Sequence, residues 1–343
     1  MYPNTPPWKW TVNLLTAVLI VAGIAACAGP STPAAEHPTP AQLRPVKVAM
    51  GFIPNVQFAP FYVAQSRGYF AEEGLEVTFD YGMEADLMKL LGTGELQFVV
   101  GSGDQVILAR SQGLPVVYVT QWYRRYPVCV VALEEKDIRK PEDLLGKTVG
   151  TPVMHGASYV GWRAFAHAIG LDEAQINLQA IGYTQVASLL EGRVDAAICY
   201  IMNEPIQLRE QGHDIVVMEV SDYATLVSNG IITNEMTIQK DPALVRALVR
   251  AFLRGLRDTL ADPRAAFDIC LQYVPEAGGE NEARQRAVLE TSVELWRADP
   301  LGYSSTQDWQ ESATFMQVAG LVSTVPDVEA MFTNRFVQEA AVQ

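Results

Sequence analysis

Short apolar segments alternate with helical segments from residue 46 onward, and this alternation limits the fold more than any other feature of the sequence. The segments VKVAMG, LEVTFDY, QFVVG and PVVYVTQ have the length and apolar character of buried strands, and helical stretches that end in glycine separate them. Strands joined through helices pair in parallel, with right-handed connections and helices on both faces of the sheet. The sequence therefore predicts an α/β protein.

A second set of alternating segments follows VCVVALEEKDI. Within it, EGRVDAAI at 191–198 repeats the pattern of TGELQFVV at 93–100, because each is a helix end, a glycine turn and a strand. We therefore expect two similar lobes, in keeping with the two domains that a length of 343 residues suggests. Ligands of open α/β sheets lie beyond the carboxyl ends of the strands, so two facing lobes would enclose a ligand cleft.

The N-terminal residues are predicted to lie outside the globular part. Lys9 precedes an apolar run that ends in small residues, as in a secretory signal, and the run is short for a transmembrane helix. IAAC at 24–27 resembles a bacterial lipobox, so residues 1–26 are expected to be removed and Cys27 to carry the lipid anchor. An uncleaved anchor is the alternative. The proline-rich stretch 27–44 is expected to be a flexible tether.

Charge and motif content argue against several functions. The chain has 25 Lys and Arg against 39 Asp and Glu, and this net charge of −14 disfavours nucleic acid as a partner. Cys129, Cys199 and Cys270 form no CxxC pair, and the histidines are scattered, so we expect buried thiols and no metal site. The spacing does not indicate a disulfide. The absence of a Walker loop, a zinc motif and a G-x-S-x-G sequence predicts a protein without cofactor or catalytic residues.

The order and spacing of several segments resemble a known family. The lipobox, GFIPNVQFAPFYVAQSRGYFAEEGLEV, LLGTGELQFVVGSGDQVILARSQGLPV and DLLGKTVGTP together are similar to the NMT/thiamine-precursor-like branch of ABC-transporter substrate-binding lipoproteins. The resemblance covers about residues 45–330 and implies a type 2 periplasmic-binding-protein fold. It also implies a first lobe of residues 45–132 plus 230–343, and a second lobe of residues 133–229.

The resemblance further implies a function. Members of this branch capture aromatic heterocycles, namely riboflavin or pyrimidine precursors of thiamine, and deliver them to an ABC permease with its ATPase subunits. Enzyme members that make the thiamine pyrimidine carry a cysteine cluster, which this sequence lacks. Sulfonate and nitrate binders share the fold and remain alternatives. We expect a lipoprotein anchored in the cell membrane and facing outside the cytoplasm. Riboflavin is the first choice of ligand, and an aminopyrimidine is the alternative.

The first loop at a strand end carries candidate ligand contacts. Asn55 and Gln57 follow the first strand, and their amides suit the edge of a pyrimidine or of the uracil-like end of a flavin. Asn55 is equally typical of a turn that caps the next helix. Phe58 is expected either to stack on a ring or to pack beneath the helix.

Two later loops add backbone donors and aromatic rings. In GSGDQ, Gly101 and Ser102 are expected to let a ligand approach the backbone, and Asp104 to cap the helix. In QWYRRYP, Trp122 and Tyr126 are expected to be exposed at the end of a strand, where rings stack on a large planar ligand. Packing between the lobes is the alternative for this run.

The second lobe should supply the facing wall. His155, Ser158 and Tyr159 lie at a predicted helix start, where N–H groups attract acceptor oxygens. The remaining candidates follow the strand that repeats the first-lobe pattern, and they are Tyr200, Asn203 and Glu204. A carboxylate at Glu204 would accept hydrogen bonds from hydroxyl or amino groups and would repel a sulfonate.

Overall fold

The computed structural model describes residues 42–341, all within one compact unit. The predicted signal segment, the lipidation site Cys27 and most of the predicted tether lie outside this part. Within it, no helix is both long enough and apolar enough to cross a membrane.

The first sheet has five strands in the order β2-β1-β3-β10-β4. β1, β2 and β3 are parallel, whereas β10 runs antiparallel to both β3 and β4. The strands of this sheet are β1 (Arg44–Met50), β2 (Leu75–Tyr81), β3 (Phe98–Ser102), β4 (Val116–Gln121) and β10 (Asn229–Asn234).

The second sheet repeats this layout in the order β7-β6-β8-β5-β9. β6 is parallel to β7 and β8, and β5 is antiparallel to β8 and β9. Its strands are β5 (Val128–Leu133), β6 (Thr148–Thr151), β7 (Asn177–Ala180), β8 (Ala196–Tyr200) and β9 (Ile215–Glu219). β3 and β8 hold the same place in their sheets and follow Gly94 and Gly192, both at positive φ, so the internal repeat seen in the sequence is structural.

Helices cover both sheets. In chain order they are α1 (Ala59–Ser66), α2 (Tyr69–Glu72), α3 (Glu84–Thr93), α4 (Gly103–Ser111), α5 (Gly156–Ala168), α6 (Gln185–Leu190), α7 (Glu204–Glu210), α8 (Glu235–Lys240), α9 (Pro242–Ala261), α10 (Pro263–Cys270), α11 (Glu282–Trp296), α12 (Thr306–Val318), α13 (Val328–Met331) and α14 (Arg335–Ala341). We use first lobe and second lobe for the parts of the chain built around the first and the second sheet.

The chain first crosses between the sheets earlier than the sequence suggested. We expected the first lobe to reach residue 132, but β5 pairs with β8 and β9 and so belongs to the second sheet. The crossing therefore lies in residues 122–127, and the return lies in residues 220–228. VCVVAL is a uniformly buried run, and such a run does not reveal which of two sheets it joins.

One large hydrophobic cluster covers a face of both sheets and includes the long helix α9. Phe252 of α9 is fully buried, and its ring centroid lies 4.6 Å from that of Phe61 in α1. Two smaller clusters fill the opposite faces, one for each lobe. Because the large cluster extends through both lobes, the strands on either side of the cleft pack on the same hydrophobic core.

Candidate functional site

A cavity of about 630 Å³ lies at the carboxyl ends of the strands, lined by residues of both lobes. Its volume is within the range of small-molecule sites. The segments that line it follow β1, β2 and β4 in the first lobe and β6, β7 and β8 in the second. This is the position at which open α/β sheets bind ligands, because loops and helix starts gather at that edge.

Nine of the predicted site residues line this cavity. They are Asn55, Gln57, Phe58, Trp122, His155, Ser158, Tyr200, Asn203 and Glu204. Asn55, Gln57 and Phe58 belong to the first lobe, whereas His155 and Glu204 belong to the second, so both lobes contribute to the lining.

Amide groups link the two walls of the cavity. Asn55 Oδ1 accepts a hydrogen bond from the backbone N–H of Gln57 at 2.9 Å, so this side chain caps the short turn at 56–58 as well as lining the cavity. Gln57 Nε2 donates to Asn203 Oδ1 of the second lobe at 2.9 Å. Tyr123 Oη donates to Gln57 Oε1 at 3.3 Å. Gln57 is therefore held from both lobes.

The predicted exposure of the aromatic run 122–126 is wrong. Trp122, Tyr123 and Tyr126 are only 3%, 3% and 2% exposed. The Trp122 ring packs against Phe58 and Trp296, with centroid distances of 5.8 and 5.3 Å. This run crosses between the lobes. The large apolar cluster includes Trp122 and Tyr123, whereas Tyr126 belongs to the smaller cluster of the second lobe, and Trp122 lines the cavity although it is almost fully buried.

Four predicted residues lie behind the cavity wall or beside it. Tyr126 donates a hydrogen bond to the carbonyl oxygen of Ala157 at 2.9 Å and lies outside the lining. Tyr159 Oη instead accepts from Arg163 at 3.1 Å. The other two, Gly101 and Ser102, end β3 beneath the cavity.

The space beside Gly101 is occupied by the side chain of Glu84. A Cβ atom at this position would lie 2.6 Å from Glu84 Oε1. Ser102 donates to the same oxygen from its Oγ at 2.8 Å and also from its backbone N–H. Asp104 is not the cap of α4, because Ser102 occupies that position and Asp104 lies buried in the first turn.

Sequence reasoning missed the most exposed aromatic rings of the cavity. Phe52 of the first lobe is 37% exposed and Tyr183 of the second lobe is 60% exposed. Their ring centroids are 6.4 Å apart, and the planes are inclined at 50°. Both residues follow a strand end directly, in GFIPN and in IGYTQ, and this position was the signal that could have identified them.

Acidic groups outnumber basic ones in the cavity. Glu84, Asp86 and Glu204 line it, whereas Lys89 is the only Lys or Arg side chain in the lining found within residues 42–341. Lys89 Nζ lies 3.1 Å from Asp86, which offsets its charge. Burial raises the pKa of Glu204, although a hydrogen bond from the backbone N–H of Tyr200 at 3.0 Å lowers it in part.

Glu84 is the most perturbed of these acids. Burial, followed by the nearby Asp104 carboxylate, raises the pKa of Glu84 to about 7, against the two hydrogen bonds from Ser102. The pKa of Asp104 is also raised, chiefly by burial. Perturbed acids in a cleft mark functional sites, although neighbouring structural groups produce similar shifts.

Metal and thiol chemistry find no support in the described part of the chain. No cluster of His, Cys, Asp and Glu residues there has the geometry of a metal site. Cys129, Cys199 and Cys270 are free and buried, as predicted. Burial raises the pKa of each thiol, so none is an activated nucleophile.

Solved structures share this fold. The periplasmic aliphatic sulphonate binding protein SsuA from Escherichia coli has a TM-score of 0.68 at 13% sequence identity, with 84% of this chain and 92% of that chain covered. At this identity the likeness concerns the fold alone. The predicted type 2 periplasmic-binding-protein fold is thus confirmed.

Sequence relatives identify the family. Residues 55–266 match the family described as NMT1/THI5 like. Riboflavin-binding protein RibY of Chloroflexus aurantiacus is 43% identical over 341 residues, with 94% of this chain and 97% of the relative covered. A formylaminopyrimidine-binding protein of Halalkalibacterium halodurans is 31% identical, with 80% and 85% covered. The chain belongs to the NMT1/THI5-like family, as its sequence segments indicated.

Proposed function

We propose that this protein is the extracytoplasmic solute-binding component of an ABC importer and that its cleft captures riboflavin. One observation carries the choice of a flat aromatic ligand: Phe52 and Tyr183 face each other from opposite lobes at the cavity, with ring centroids 6.4 Å apart. Aromatic rings contact one another at centroid distances of about 4.5–7 Å. A small adjustment of the lobes therefore lets both rings contact an isoalloxazine.

Polar groups along the cavity suit the rest of riboflavin. The amides of Asn55, Gln57 and Asn203 offer donors and acceptors to a ring edge that carries both. Glu204 and Ser158 also line the cavity, and we assign them to the ribityl hydroxyl groups. The name of the relative at 43% identity supports the same ligand.

The charge of the cavity argues against anionic ligands. Among the described residues, no arginine lines the cavity, and Lys89 is already paired with Asp86. Sulfonate and nitrate would find no unpaired cation in the described part of this lining to offset the cost of their desolvation. We therefore set these ligands aside although the fold is shared with a sulphonate binder.

An aminopyrimidine is the second candidate. The carboxyl group of Glu204 favours it, because a carboxylate accepts hydrogen bonds from an amino group. The relative at 31% identity has a name that supports this class of ligand. A single pyrimidine ring would leave much of a 630 Å³ cavity unfilled, so riboflavin is the better match.

The mechanism that we propose is closure of the lobes around the ligand, without chemistry on it. The hydrogen bond from Gln57 to Asn203 already joins the two walls, so closure needs no new contact to form at that point. Closing removes water from the ring, and the permease would then recognise the closed form. The name of the relative at 43% identity supports binding rather than catalysis.

Lipid attachment at Cys27 completes the proposal. It rests on the sequence IAAC and on the proline-rich stretch that follows it. Expression of the full chain with Cys27→Ala should move the protein from the membrane fraction to the soluble fraction. Equal membrane retention of both forms would contradict the anchor and leave the ligand proposal unaffected.

A ligand panel tests the function. Thermal unfolding is measured with riboflavin, an aminopyrimidine and an alkanesulfonate, and each ligand is recovered and weighed by mass spectrometry. Ligand at about 100-fold above its Kd stabilises the folded state by about 2.7 kcal/mol. We expect stabilisation by riboflavin, with its mass unchanged. Stabilisation only by the aminopyrimidine would select the second candidate, and a changed ligand mass would indicate an enzyme.

A further inference from the structure

Glu84 presents one free carboxyl oxygen at the cavity. The residue begins α3, directly after β2, and it lines the cavity. Its Oε1 accepts from the backbone N–H and from the Oγ of Ser102, the latter at 2.8 Å. Within residues 42–341, Oε2 has no hydrogen-bond partner. The fixed oxygen therefore holds the group in place, while the other oxygen is available to a ligand.

A second acid lies beneath Glu84. Asp104 is 1% exposed, and its oxygens contact Gln105 Nε2 at 2.9 Å and Tyr126 Oη at 3.2 Å. Tyr126 has a single proton, and the carbonyl oxygen of Ala157, at 2.9 Å, is its nearer acceptor. The Tyr126 oxygen is then free to accept a hydrogen bond from a protonated Asp104 carboxyl group. The contacts of Asp104 are therefore compatible with a protonated carboxyl group as well as with a carboxylate.

No cation in the described structure forms a salt bridge with either acid. Lys89 is the nearest candidate on the same helix, and its Nζ is bonded to Asp86. The charged or titratable groups that surround Glu84 from every neighbouring element are Asp86 and Lys89 of α3, Asp104 of α4, Tyr126 of the crossing segment, and His155, Tyr200 and Glu204 of the second lobe. Most of these groups are acids or neutral phenols.

The effects on the protonation of Glu84 oppose one another. The first turn of α3 and the two donors of Ser102 favour the carboxylate. Burial and the charge of Asp104 favour the neutral acid and are the larger effects, so the pKa of Glu84 lies near neutrality. Two acids in one buried site do not both ionise readily.

We propose that Glu84 binds the ligand as a neutral carboxylic acid whose Oε2–H donates a hydrogen bond to a carbonyl oxygen or an unprotonated ring nitrogen of the heterocycle. Asp104 and Ser102 act as positioning residues that set the pH range of this donor. The inference rests on the proposed function and adds a specificity determinant to it: the site selects neutral rings with an acceptor edge.

The direction of the pH effect follows from this assignment. The donor exists while Glu84 is protonated, so affinity is full below the pKa of about 7 and falls as the pH rises through it. An apparent Kd increases in inverse proportion to the competent fraction. Between pH of about 5.5 and about 8.5, riboflavin affinity should fall by up to about 30-fold if the carboxylate does not bind at all.

Three variants of the full chain test the proposal by riboflavin titration across this pH range. Glu84→Gln retains a neutral N–H donor, so its affinity should be independent of pH and should exceed the wild-type affinity at high pH. Asp104→Asn removes the neighbouring charge and should move the loss of affinity to lower pH. Ser102→Ala removes a donor that favours the carboxylate and should move the loss to higher pH.

His155→Gln is the matched control, because His155 is another ionisable side chain that lines the cavity. We expect this variant to keep the wild-type pH profile whatever its affinity. Thermal unfolding of each variant at each pH confirms that the folded protein is being titrated. Asp104→Asn and Ser102→Ala should displace the pH at which affinity is lost in opposite directions. A purely structural role of Asp104 and Ser102 does not produce this result.

Two outcomes would overturn the inference. An affinity for riboflavin that rises with pH would mean that Glu84 acts as an accepting carboxylate. A flat profile, or one abolished by His155→Gln, would remove Glu84 as the titrating donor. Both outcomes leave riboflavin binding intact, whereas failure of wild-type protein to bind riboflavin at any pH would contradict the proposed function itself.

Discussion

Tyr183→Ala isolates the contribution of the exposed aromatic pair. Tyr183 is 60% exposed, so its removal opens no internal cavity, and exposed substitutions of this kind typically change stability by less than about 0.5 kcal/mol. Its ring is 6.4 Å from that of Phe52 across the cavity. Stacking of a heterocyclic base on an aromatic side chain contributes about 1–3 kcal/mol by alanine substitution. Loss of this ring should therefore weaken riboflavin binding by about 5- to 150-fold.

The assay is quenching of flavin emission on titration with protein, with Tm measured in parallel. Tyr303→Ala is the control, because Tyr303 is 42% exposed and lies outside the cavity lining. We expect the control to bind as tightly as the wild type. Unchanged riboflavin affinity in Tyr183→Ala, with unchanged Tm, would refute the placement of the ring between the lobes.

Packing and the charge of the cavity can be tested separately. Gly255→Ala should lower stability by about 1–3 kcal/mol in thermal melts, because the new Cβ would lie 2.2 Å from the carbonyl oxygen of Pro60. Gly278→Ala is the control and should cost much less, because the nearest neighbour of its Cβ would lie at 3.3 Å. Phe252→Ala should lower the free energy of unfolding by about 3–5 kcal/mol in urea, and a loss below about 1 kcal/mol would contradict its burial. Flavin mononucleotide should bind at least about tenfold more weakly than riboflavin in calorimetry, with a smaller difference in high salt, since its phosphate adds negative charge to an acidic cavity. Equal affinity for the two flavins would contradict the charge argument.

Local pattern was sufficient to predict most of the elements. β2 was expected at 75–81 and lies there, because its alternating burial matches the alternating apolar residues of LEVTFDY. The spacing of Leu244, Leu248, Phe252 and Leu256 at every fourth residue is typical of a helix, and all four are buried in α9. Such elements depend on their own sequence and need no knowledge of their neighbours.

Elements that depend on distant pairing were harder to predict. β5 falls within the residues assigned to the first lobe, although it pairs with β8 and β9 of the second sheet. It runs antiparallel to both of these neighbours. A rule based on alternating strands and helices does not anticipate a strand that arrives from the other lobe.

The candidate site shows the same contrast between features set by local sequence and features set by distant packing. Residues were correctly placed near the cleft where a strand end was recognised, as for Asn55, Gln57 and Glu204. The aromatic run at 122–126 was correctly recognised as the end of a strand. It was nevertheless expected to be exposed, because the sequence does not show that Trp122 packs against Trp296. Glu84 was missed because its raised pKa depends on burial and then on Asp104, and only the fold produces the burial and brings Asp104 near.

Riboflavin binding is tested most directly by an equilibrium titration of riboflavin with the purified full chain at pH of about 6, followed by flavin emission. We predict saturable quenching with a Kd in the micromolar range or below, one riboflavin for each chain, and release of unaltered riboflavin on unfolding. Emission that does not change with saturating protein, together with an unchanged Tm, would contradict the claim that this cleft binds riboflavin.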